Sequence, residues 1–165
     1  MEFIQNKGIG TKMFKEKTAK DNPAILEIVP NLGSVVMVTR GKIHKVEDLD
    51  GILVYKDEKI IGLGLYRIEN DCEIVLLETF MQNQGIGTQI IEKIKEKAIA
   101  QKCERIWLIT TNENINALRF YQKRGFYFSN LYKNAIEESR RIIPEIPKME
   151  DGIEIRDEIE FEMLI

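Results

Sequence analysis

The amino-acid sequence predicts an α/β fold built on a mixed sheet. Three observations support this prediction: two apolar runs joined by a charged turn, a buried strand followed by glycines and an amphipathic helix, and a period-two pattern near the end of the chain. A chain of 165 residues can bury one core without disulfides or metals. We therefore expect residues 1–165 to form one domain, with residues 1–20 as a flexible N-terminal segment.

The first half of the chain contains a short helix and three consecutive strands. Pro23 suits the first turn of a helix that ends before Pro30 and Gly33. Lys56–Lys59 is the charged turn of a hairpin, and Asn70–Asp71 is the next turn. The strands are predicted at residues 52–55, 60–68 and 72–80.

The second half of the chain alternates helices with strands. Apolar residues recur at helical spacing after the glycines, and Gly125 suits the C-terminal cap of a second helix. A strand, a helix and a strand in this order predict a right-handed parallel crossover. The predicted elements are helix 88–101, strand 105–110, helix 114–124, a strand starting at 126–128, and a half-buried closing strand at 158–163.

Composition and charge exclude several classes of function. The 44% hydrophobic and 31% charged content is typical of a soluble globular protein, and no apolar run approaches the roughly 18 residues of a membrane span. A single histidine and two distant cysteines, Cys72 and Cys103, leave no expected metal site. Both cysteines are expected to be buried, in a reducing cytoplasm. The net charge of −3 argues against a nucleic-acid partner.

The acidic side chains are concentrated at the end of the chain. Residues 137–165 contain ten acidic and four basic side chains. A solvated surface accounts for this excess, and so does an acidic rim that attracts a cationic amine substrate. Charge alone does not decide between the two.

The stretch QNQGIGT, Gln82–Thr88, stands between a predicted buried strand and a predicted helix. The start of a helix offers unpaired N–H groups and the positive end of its dipole, and glycines let an anion approach closely. This arrangement predicts a phosphate cradle. A similar stretch, QNKGIGT at Gln5–Thr11, follows at most a short strand at Met1–Ile4 and precedes a segment without an apolar stripe, Met13–Ala19. We interpret it as a flexible segment or a chance resemblance, with local duplication as a further alternative.

Two common nucleotide motifs do not fit the glycine turn. The P-loop pattern is absent. Ile90 occupies the position of the third small residue in the dinucleotide fingerprint. A nicotinamide-dependent oxidoreductase is therefore disfavoured.

Two motifs resemble those of the GNAT superfamily of N-acetyltransferases. Gln82-x-x-Gly85-x-Gly87 is similar to its Gln/Arg-x-x-Gly-x-Gly/Ala signature, and residues 114–126 are similar to its Asn-x-x-Ala-x-x-Phe-Tyr-x-x-x-Gly-Phe signature. Both motifs lie within residues 72–128. Residues 108–126 and 152–160 also resemble a bacterial subgroup of this superfamily whose substrate is unassigned. The resemblance implies a twisted mixed sheet of six to seven strands flanked by helices. In that fold the fourth and fifth core strands splay apart and form a groove for coenzyme A.

The resemblance also implies the substrates. The donor is acetyl-coenzyme A, and the acceptor is a primary amine of a small molecule or a protein; a homodimer is compatible with the family. The diphosphate is expected on the backbone amides of the glycine turn, and the pantetheine arm along the preceding strand. The implied coenzyme-binding residues are Leu77, Thr79, Phe80, Gln82, Asn83, Gln84, Gly85, Ile86, Gly87, Thr88, Asn114, Ala117 and Tyr121.

Tyr121 is the candidate general acid. Asn114, Ala117 and Tyr121 share one helix face, and by the resemblance the phenol donates a proton to the leaving thiolate. The alternative for Tyr121 is a core aromatic beside Phe120, and the alternative for Asn114 is a helix cap. A catalytically silent, acyl-coenzyme A-binding module is the second functional hypothesis, and the intact Tyr121 weighs against it.

An amine is mostly protonated at neutral pH, so direct attack on the thioester needs a base. A backbone N–H on strand 72–80 is expected to stabilise the oxyanion. The base candidates are Glu78, Glu73 and His44. Glu78 is preferred because it lies nearer the glycine turn, although a solvent-facing role is equally compatible; strand alternation places Glu73 on the opposite face. His44 is expected in an exposed loop, which with Arg40 could contact substrate if it folds over the acceptor pocket.

Overall fold

The computed structural model describes residues 10–165 and contains eleven strands and four α-helices in that range. The strands are β1 (Met13–Glu16), β2 (Val35–Thr39), β3 (Lys42–Lys45), β4 (Asp50–Lys56), β5 (Lys59–Ile68), β6 (Cys72–Thr79), β7 (Arg105–Thr111), β8 (Tyr127–Tyr132), β9 (Met149–Glu150), β10 (Ile153–Glu154) and β11 (Glu158–Leu164). The helices are α1 (Asn22–Ile28), α2 (Ile86–Ala100), α3 (Ile115–Gln122) and α4 (Ile136–Ile142).

Seven of the strands form one mixed sheet. Their order is β1-β4-β5-β6-β7-β11-β8, and β2 with β3 and β9 with β10 form two separate hairpins. Every neighbouring pair in the large sheet is antiparallel except β6 and β7, which are parallel and connected through α2. The predicted mixed α/β fold, including the parallel crossover at its centre, is confirmed.

The N-terminal expectation needs a correction. Residues 13–16, expected in a flexible segment, form the edge strand β1, in which Met13 pairs with Tyr55 and Glu16 with Ile52. Because β1 lies at the edge and is largely exposed, it carries no apolar stripe that would reveal it in the sequence. Most of the first QNKGIGT copy and the short strand proposed at residues 1–4 lie outside the described residues.

The two faces of the sheet bury two separate clusters. On one face α2 places Ile90, Ile91 and Ile94 against the sheet. On the other face, Ile25 of α1 packs with Leu63 and Leu65 of β5 and with residues of the β2–β3 hairpin. The sheet is therefore covered on both sides, as an α/β architecture requires.

Two glycines of β5 allow α2 to pack closely on the sheet. A Cβ at Gly64 would lie 2.5 Å from Ile90 Cγ2, and one at Gly62 would lie 2.6 Å from Ile86 Cγ2. Their neighbours Leu63 and Leu65 point to the other face and are fully buried. The alternation of glycine and leucine in β5 therefore brings the start of α2 directly against the strand next to β6.

The central parallel pair separates after three residue pairs. Cys72, Glu73 and Ile74 of β6 are paired with β7, the last of them with Leu108, whereas both strands continue for several residues beyond this point. On its other edge β6 has a bulge at Val75, since Leu65 pairs with Leu76 and Tyr66 with Ile74. A bulge bends its strand and increases the local twist, and here it coincides with the start of the separation.

Several further expectations concern burial and composition. Cys72 and Cys103 are both buried, as predicted, and burial raises the pKa of the Cys72 thiol to about 12. Within residues 10–165, no helix has the length and apolar character needed to cross a membrane. The same residues contain no cluster of three potential metal ligands.

The substitution Gly64→Ala tests the close packing of α2. The added methyl group would overlap Ile90, so we expect the free energy of unfolding to fall by about 1–3 kcal/mol in urea denaturation. In an Ile90→Ala background, where the overlapping group is gone, the same substitution should cost clearly less. An equal cost in both backgrounds would contradict this account of the two glycines.

Candidate active site

Two cavities meet where β6 and β7 separate. The helix-side cavity, of about 220 Å³, is lined by Leu77, Thr79, Gly87, Asn116, Ala117, Phe120 and Tyr121. The hairpin-side cavity, of about 140 Å³, is lined by Met37, Ile74, Val75, Leu76, Leu77, Glu78, Leu108, Ile109, Thr110, Asn114, Ala117 and Tyr121. Leu77, Ala117 and Tyr121 belong to both, so these three side chains stand at the junction of the two cavities.

Tyr121 is both a core residue and a lining residue. Its ring makes edge contacts with Phe120 and Phe126, at centroid distances of 5.1 and 5.4 Å, and a tilted contact with Phe161 at 5.9 Å. Burial raises the pKa of the phenol, and the nearby carboxylate of Glu78 raises it further. The phenol therefore keeps its proton at neutral pH, where it can act as a donor toward either cavity.

The glycine turn uses its two glycines for different purposes. Gly85 precedes α2 with a φ of +66° and has open space where a Cβ would be, so its backbone conformation is what requires glycine. A Cβ at Gly87 would lie 2.9 Å from Phe120 Cζ, so Gly87 is required for packing against α3. The N–H groups of the first turn of α2 have no acceptor within the helix and are available to an anion.

The other predicted coenzyme-binding residues are distributed unevenly. Leu77, Thr79 and Ala117 line the helix-side cavity, whereas the side chain of Ile86 is buried against β5. Asn114 lines the hairpin-side cavity, and its Oδ1 also accepts a hydrogen bond from Ala117 N at 3.1 Å, so it caps α3. The residues that do not line either cavity are Phe80, Gln82, Asn83, Gln84, Gly85, Ile86 and Thr88.

Nine cavity-lining residues are absent from the predicted site: Met37, Ile74, Val75, Leu76, Leu108, Ile109, Thr110, Asn116 and Phe120. Asn116 and Phe120 lie within the second motif, at positions that their spacing on α3 could have suggested. Met37 and Thr110 come from β2 and β7, and no local pattern in the sequence points to them. They depend on how distant strands are placed.

The bulge at Val75 overturns the predicted arrangement of Glu73 and Glu78. Glu73 pairs with Arg67 and Glu78 with Leu63, and these two partners lie four residues apart on β5 and so share a face. Since directly paired residues point to the same side, both glutamates face the β2–β3 hairpin. Simple alternation placed them on opposite faces because it did not include the extra residue.

The two glutamates have different surroundings. Glu73 is 3% exposed, and its Oε2 accepts a hydrogen bond from Arg67 Nε at 2.7 Å. Glu78 is half-buried in the hairpin-side cavity and has no ion-pair or hydrogen-bond partner among the described residues. Burial raises the pKa of Glu78 above its ordinary value. Of the two, Glu78 is the carboxylate that a ligand in the cavity can reach.

His44, expected in an exposed loop, is instead a buried residue of β3. It is 3% exposed, and its Nε2 lies 2.9 Å from Thr39 Oγ1 and 3.8 Å from Glu73 Oε1. Burial, together with the positive charges of Arg67 and Lys42, lowers the pKa of His44 to about 4. His44 does not line either cavity, and its lowered pKa makes it a weak base, so it is no candidate for the catalytic base.

The β2–β3 hairpin covers the opening between the separated strands. At its tip, Arg40 N donates to both carboxylate oxygens of Glu158 on β11, at 2.9 and 3.1 Å, and the guanidinium lies 3.6 Å from the centroid of the Tyr132 ring. On the other side, His44 lies beside Glu73 of β6. The hairpin therefore spans from β6 to β11, with Met37 between them in the cavity wall.

Comparison with known proteins gives a consistent result. The model of the acetyltransferase (GNAT) family matches residues 36–126. The chain is 45% identical over 136 residues to the uncharacterised protein YdhI of Bacillus subtilis (strain 168), across 81% of this chain and 85% of that protein. It is 30% identical over 88 residues to the spermine/spermidine N(1)-acetyltransferase of the same strain, across 46% of this chain and 58% of that protein.

Solved structures share the fold. A GNAT family acetyltransferase from Elizabethkingia anophelis, solved with acetyl-CoA bound, superposes with a TM-score of 0.67 at 22% identity, across 93% of this chain and 98% of that chain. At this level of identity the likeness concerns the fold and leaves the acceptor open.

The buried His44 predicts a pH dependence of stability. Its pKa is about 4 in the folded chain and 6.5 ordinarily, so the unfolded chain binds more protons between these values and stability falls as the pH decreases through this window. Between pH 7 and pH 5 the loss from this group is about 2 kcal/mol. Urea denaturation at both pH values should show that His44→Gln removes most of this difference.

The comparison with His44→Gln is necessary because Glu73 and Glu158 have raised pKa values and act in the opposite direction. An identical pH dependence in wild type and variant would mean that the pKa of His44 is the same in the folded and the unfolded chain, and would contradict this account.

Proposed function

This chain belongs to the acetyltransferase (GNAT) family, and we propose from this premise that it transfers an acetyl group from acetyl-coenzyme A to a primary amine. The observation that carries the proposal is the position of Tyr121 at the junction of two cavities on opposite sides of a split sheet. One cavity leads to the glycine turn, and the other leads to a carboxylate, that of Glu78, without a partner in the described part of the chain. A thioester donor and an amine acceptor can therefore meet at one phenol.

The helix-side cavity fits the donor. Leu77, Ala117 and Phe120 provide an apolar wall for a pantetheine arm, and the cavity reaches Gly87 in the first turn of α2. The amides of that turn would hold the diphosphate. Bound in this way, acetyl-coenzyme A would supply a thioester whose carbonyl carbon is open to attack.

The separation of β6 from β7 supplies a further element. Beyond Ile74, no strand among residues 10–165 pairs with the β7-facing edge of β6. Backbone N–H groups on that edge are free to donate a hydrogen bond to the thioester oxygen and to stabilise the negative charge that develops on it. Inside a sheet, unpaired backbone N–H groups of this kind occur where a strand separates from the adjacent strand.

Glu78 is the proposed base. An ammonium group that enters the hairpin-side cavity must lose a proton before its nitrogen can attack. The carboxylate of Glu78 can take this proton directly or through a water molecule. Burial raises its pKa toward neutrality, and this makes it a stronger base than an exposed glutamate.

Tyr121 is the proposed acid. As the carbon–sulfur bond breaks, its hydroxyl group donates a proton to the leaving sulfur. The newly acetylated nitrogen then loses its second proton, which returns to the phenolate directly or through water. The burial that raises the pKa of this phenol also raises that of a thiol in the same crevice. The thiolate is therefore a strong base at this position, and a nearby proton donor has a large effect.

A thiol-release assay with acetyl-coenzyme A and a panel of amines tests the function directly. The panel should contain linear polyamines, because of the similarity to the spermine/spermidine enzyme, together with amino acids, aminoglycosides and peptides with free N-termini. Acceleration by one class of amine supports the proposal. Tight binding of coenzyme A without thiol release from any amine would favour a catalytically silent module.

Tyr121→Phe should lower kcat by about 10²–10⁴-fold and leave the dissociation constant of coenzyme A nearly unchanged. The variant keeps the ring contacts with Phe126 and Phe161 and removes only the hydroxyl group. Steady-state kinetics and calorimetry measure the two quantities. Unchanged turnover would exclude Tyr121 as the acid.

Glu78→Gln should remove the acidic limb of the pH–rate profile. The base acts in its deprotonated form, so wild-type kcat/KM should fall as the pH decreases through a pKa that burial has raised. In the variant, kcat/KM should be lower across the range in which the wild-type enzyme is active, without this limb. Glu92→Gln, on the exposed face of α2, is the matched control and should keep the wild-type profile.

A further inference from the structure

The glycine turn carries too little positive charge to bind the diphosphate that the proposed function places there. None of the side chains from Gln82 to Thr88 is ionisable. A helix N-terminus supplies about half a positive charge, which is less than a diphosphate group needs. Cations from elsewhere in the chain must complete the site if the diphosphate lies there.

Arg124 reaches the turn from the end of α3. Its Nε donates to Thr88 Oγ1 at 2.7 Å, its Nη1 donates to Phe120 O at 2.8 Å, and its guanidinium lies 3.5 Å from the centroid of the Phe120 ring. The same ring packs against Gly87. The guanidinium is therefore fixed at three points beside the first turn of α2.

The fixed guanidinium still has unused donors. These two hydrogen bonds occupy two of its five N–H groups, and no carboxylate of residues 10–165 lies within ion-pair distance of it. Partial burial lowers its pKa. By contrast, Arg67, Arg105 and Arg156 all pair with carboxylates. An anion at the turn would give Arg124 a partner of opposite charge.

Lys12 approaches the other side of the turn. Its Nζ donates to the backbone oxygen of Gln84 at 3.0 Å, across 72 residues of sequence, and keeps two N–H groups. Lys12 directly follows the first QNKGIGT copy, so the N-terminal segment contributes to this site even though the copy itself has no strand–turn–helix context in the sequence. Two cations that are far apart in the sequence thus contact a neutral turn.

We propose that Arg124 and Lys12 bind the diphosphate of coenzyme A and supply the positive charge that the glycine turn lacks. This inference rests on the proposed function, because it assumes that the turn holds the diphosphate. Arg124 is a bidentate ligand that Thr88 and Phe120 orient in advance, and Lys12 is a mobile point charge. Thr88 acts through Arg124 and is a positioning residue.

Calorimetry with coenzyme A and 3′-dephospho-coenzyme A, and competition with pantetheine, tests the assignment. Arg124→Ala should weaken both coenzymes by about 10-fold or more, as expected for the loss of a charged hydrogen bond. Lys12→Ala should have a smaller effect in the same direction, and pantetheine, which has no phosphate, should compete equally well against wild type and variants. The affinity of Arg124→Ala should also depend less on salt than that of wild type.

Matched variants separate binding from structure. Thr88→Val should reduce coenzyme affinity less than Arg124→Ala, and Arg124→Lys should recover part of it. Two control substitutions, Arg119→Ala on the exposed side of α3 and Lys20→Ala near β1, also remove one positive charge each but lie away from the turn. Both control proteins should bind coenzyme A with wild-type affinity.

Three results would overturn the inference: unchanged affinity for coenzyme A in Arg124→Ala, an equal loss for pantetheine, or a loss restricted to the coenzyme that carries the 3′-phosphate. Failure of the wild-type protein to bind coenzyme A would instead refute the proposed function itself.

Discussion

The separation of β6 from β7 is the constraint on which the rest of the site depends. Two parallel strands in the middle of a sheet normally pair their backbone N–H and C=O groups along their whole length. Here the pairing ends after Ile74 and Leu108. The bulge at Val75 bends β6 at this point, while β5 remains paired with it up to Thr79. The result is an opening through the sheet with one firmly held edge, and the two cavities extend from it to opposite faces.

Covering such an opening requires different elements on each face. On the helix side, Gly62 and Gly64 let α2 pack close to β5, and Gly87 lets Phe120 of α3 pack against α2. On the hairpin side, Arg40 and His44 connect the β2–β3 hairpin to β11 and β6. Around the opening, three glycines thus allow close contact between elements, and the left-handed conformation of glycine is needed at Gly85 at the start of α2.

The sequence was informative wherever a local pattern determines the structure. Alternation and helical periodicity predicted the strands from β4 to β7 and the helix α2. The family resemblance implied that Leu77, Ala117 and Tyr121 would line one groove, and these three side chains do lie together. Prediction failed where a single inserted residue or a contact with a distant part of the chain determines which way a side chain faces or whether it is buried. The extra residue Val75 reversed the expected relation of the two glutamates, and the burial of His44 follows from Thr39, Arg67 and Glu73, none of which a local pattern connects to it.

The geometry of the junction also bears on the order of chemical events. A donor and an acceptor that enter from opposite faces can be present together, so no protein nucleophile is needed to carry the acetyl group between them. The described residues that line the two cavities include no cysteine or serine, and burial raises the pKa of Cys72 and holds it as an unreactive thiol. Leu77 and Ala117 are apolar and stand between the two cavities. Tyr121 and Glu78 are the titratable side chains among the residues that line them. The way the sheet opens therefore supports the direct transfer that we propose.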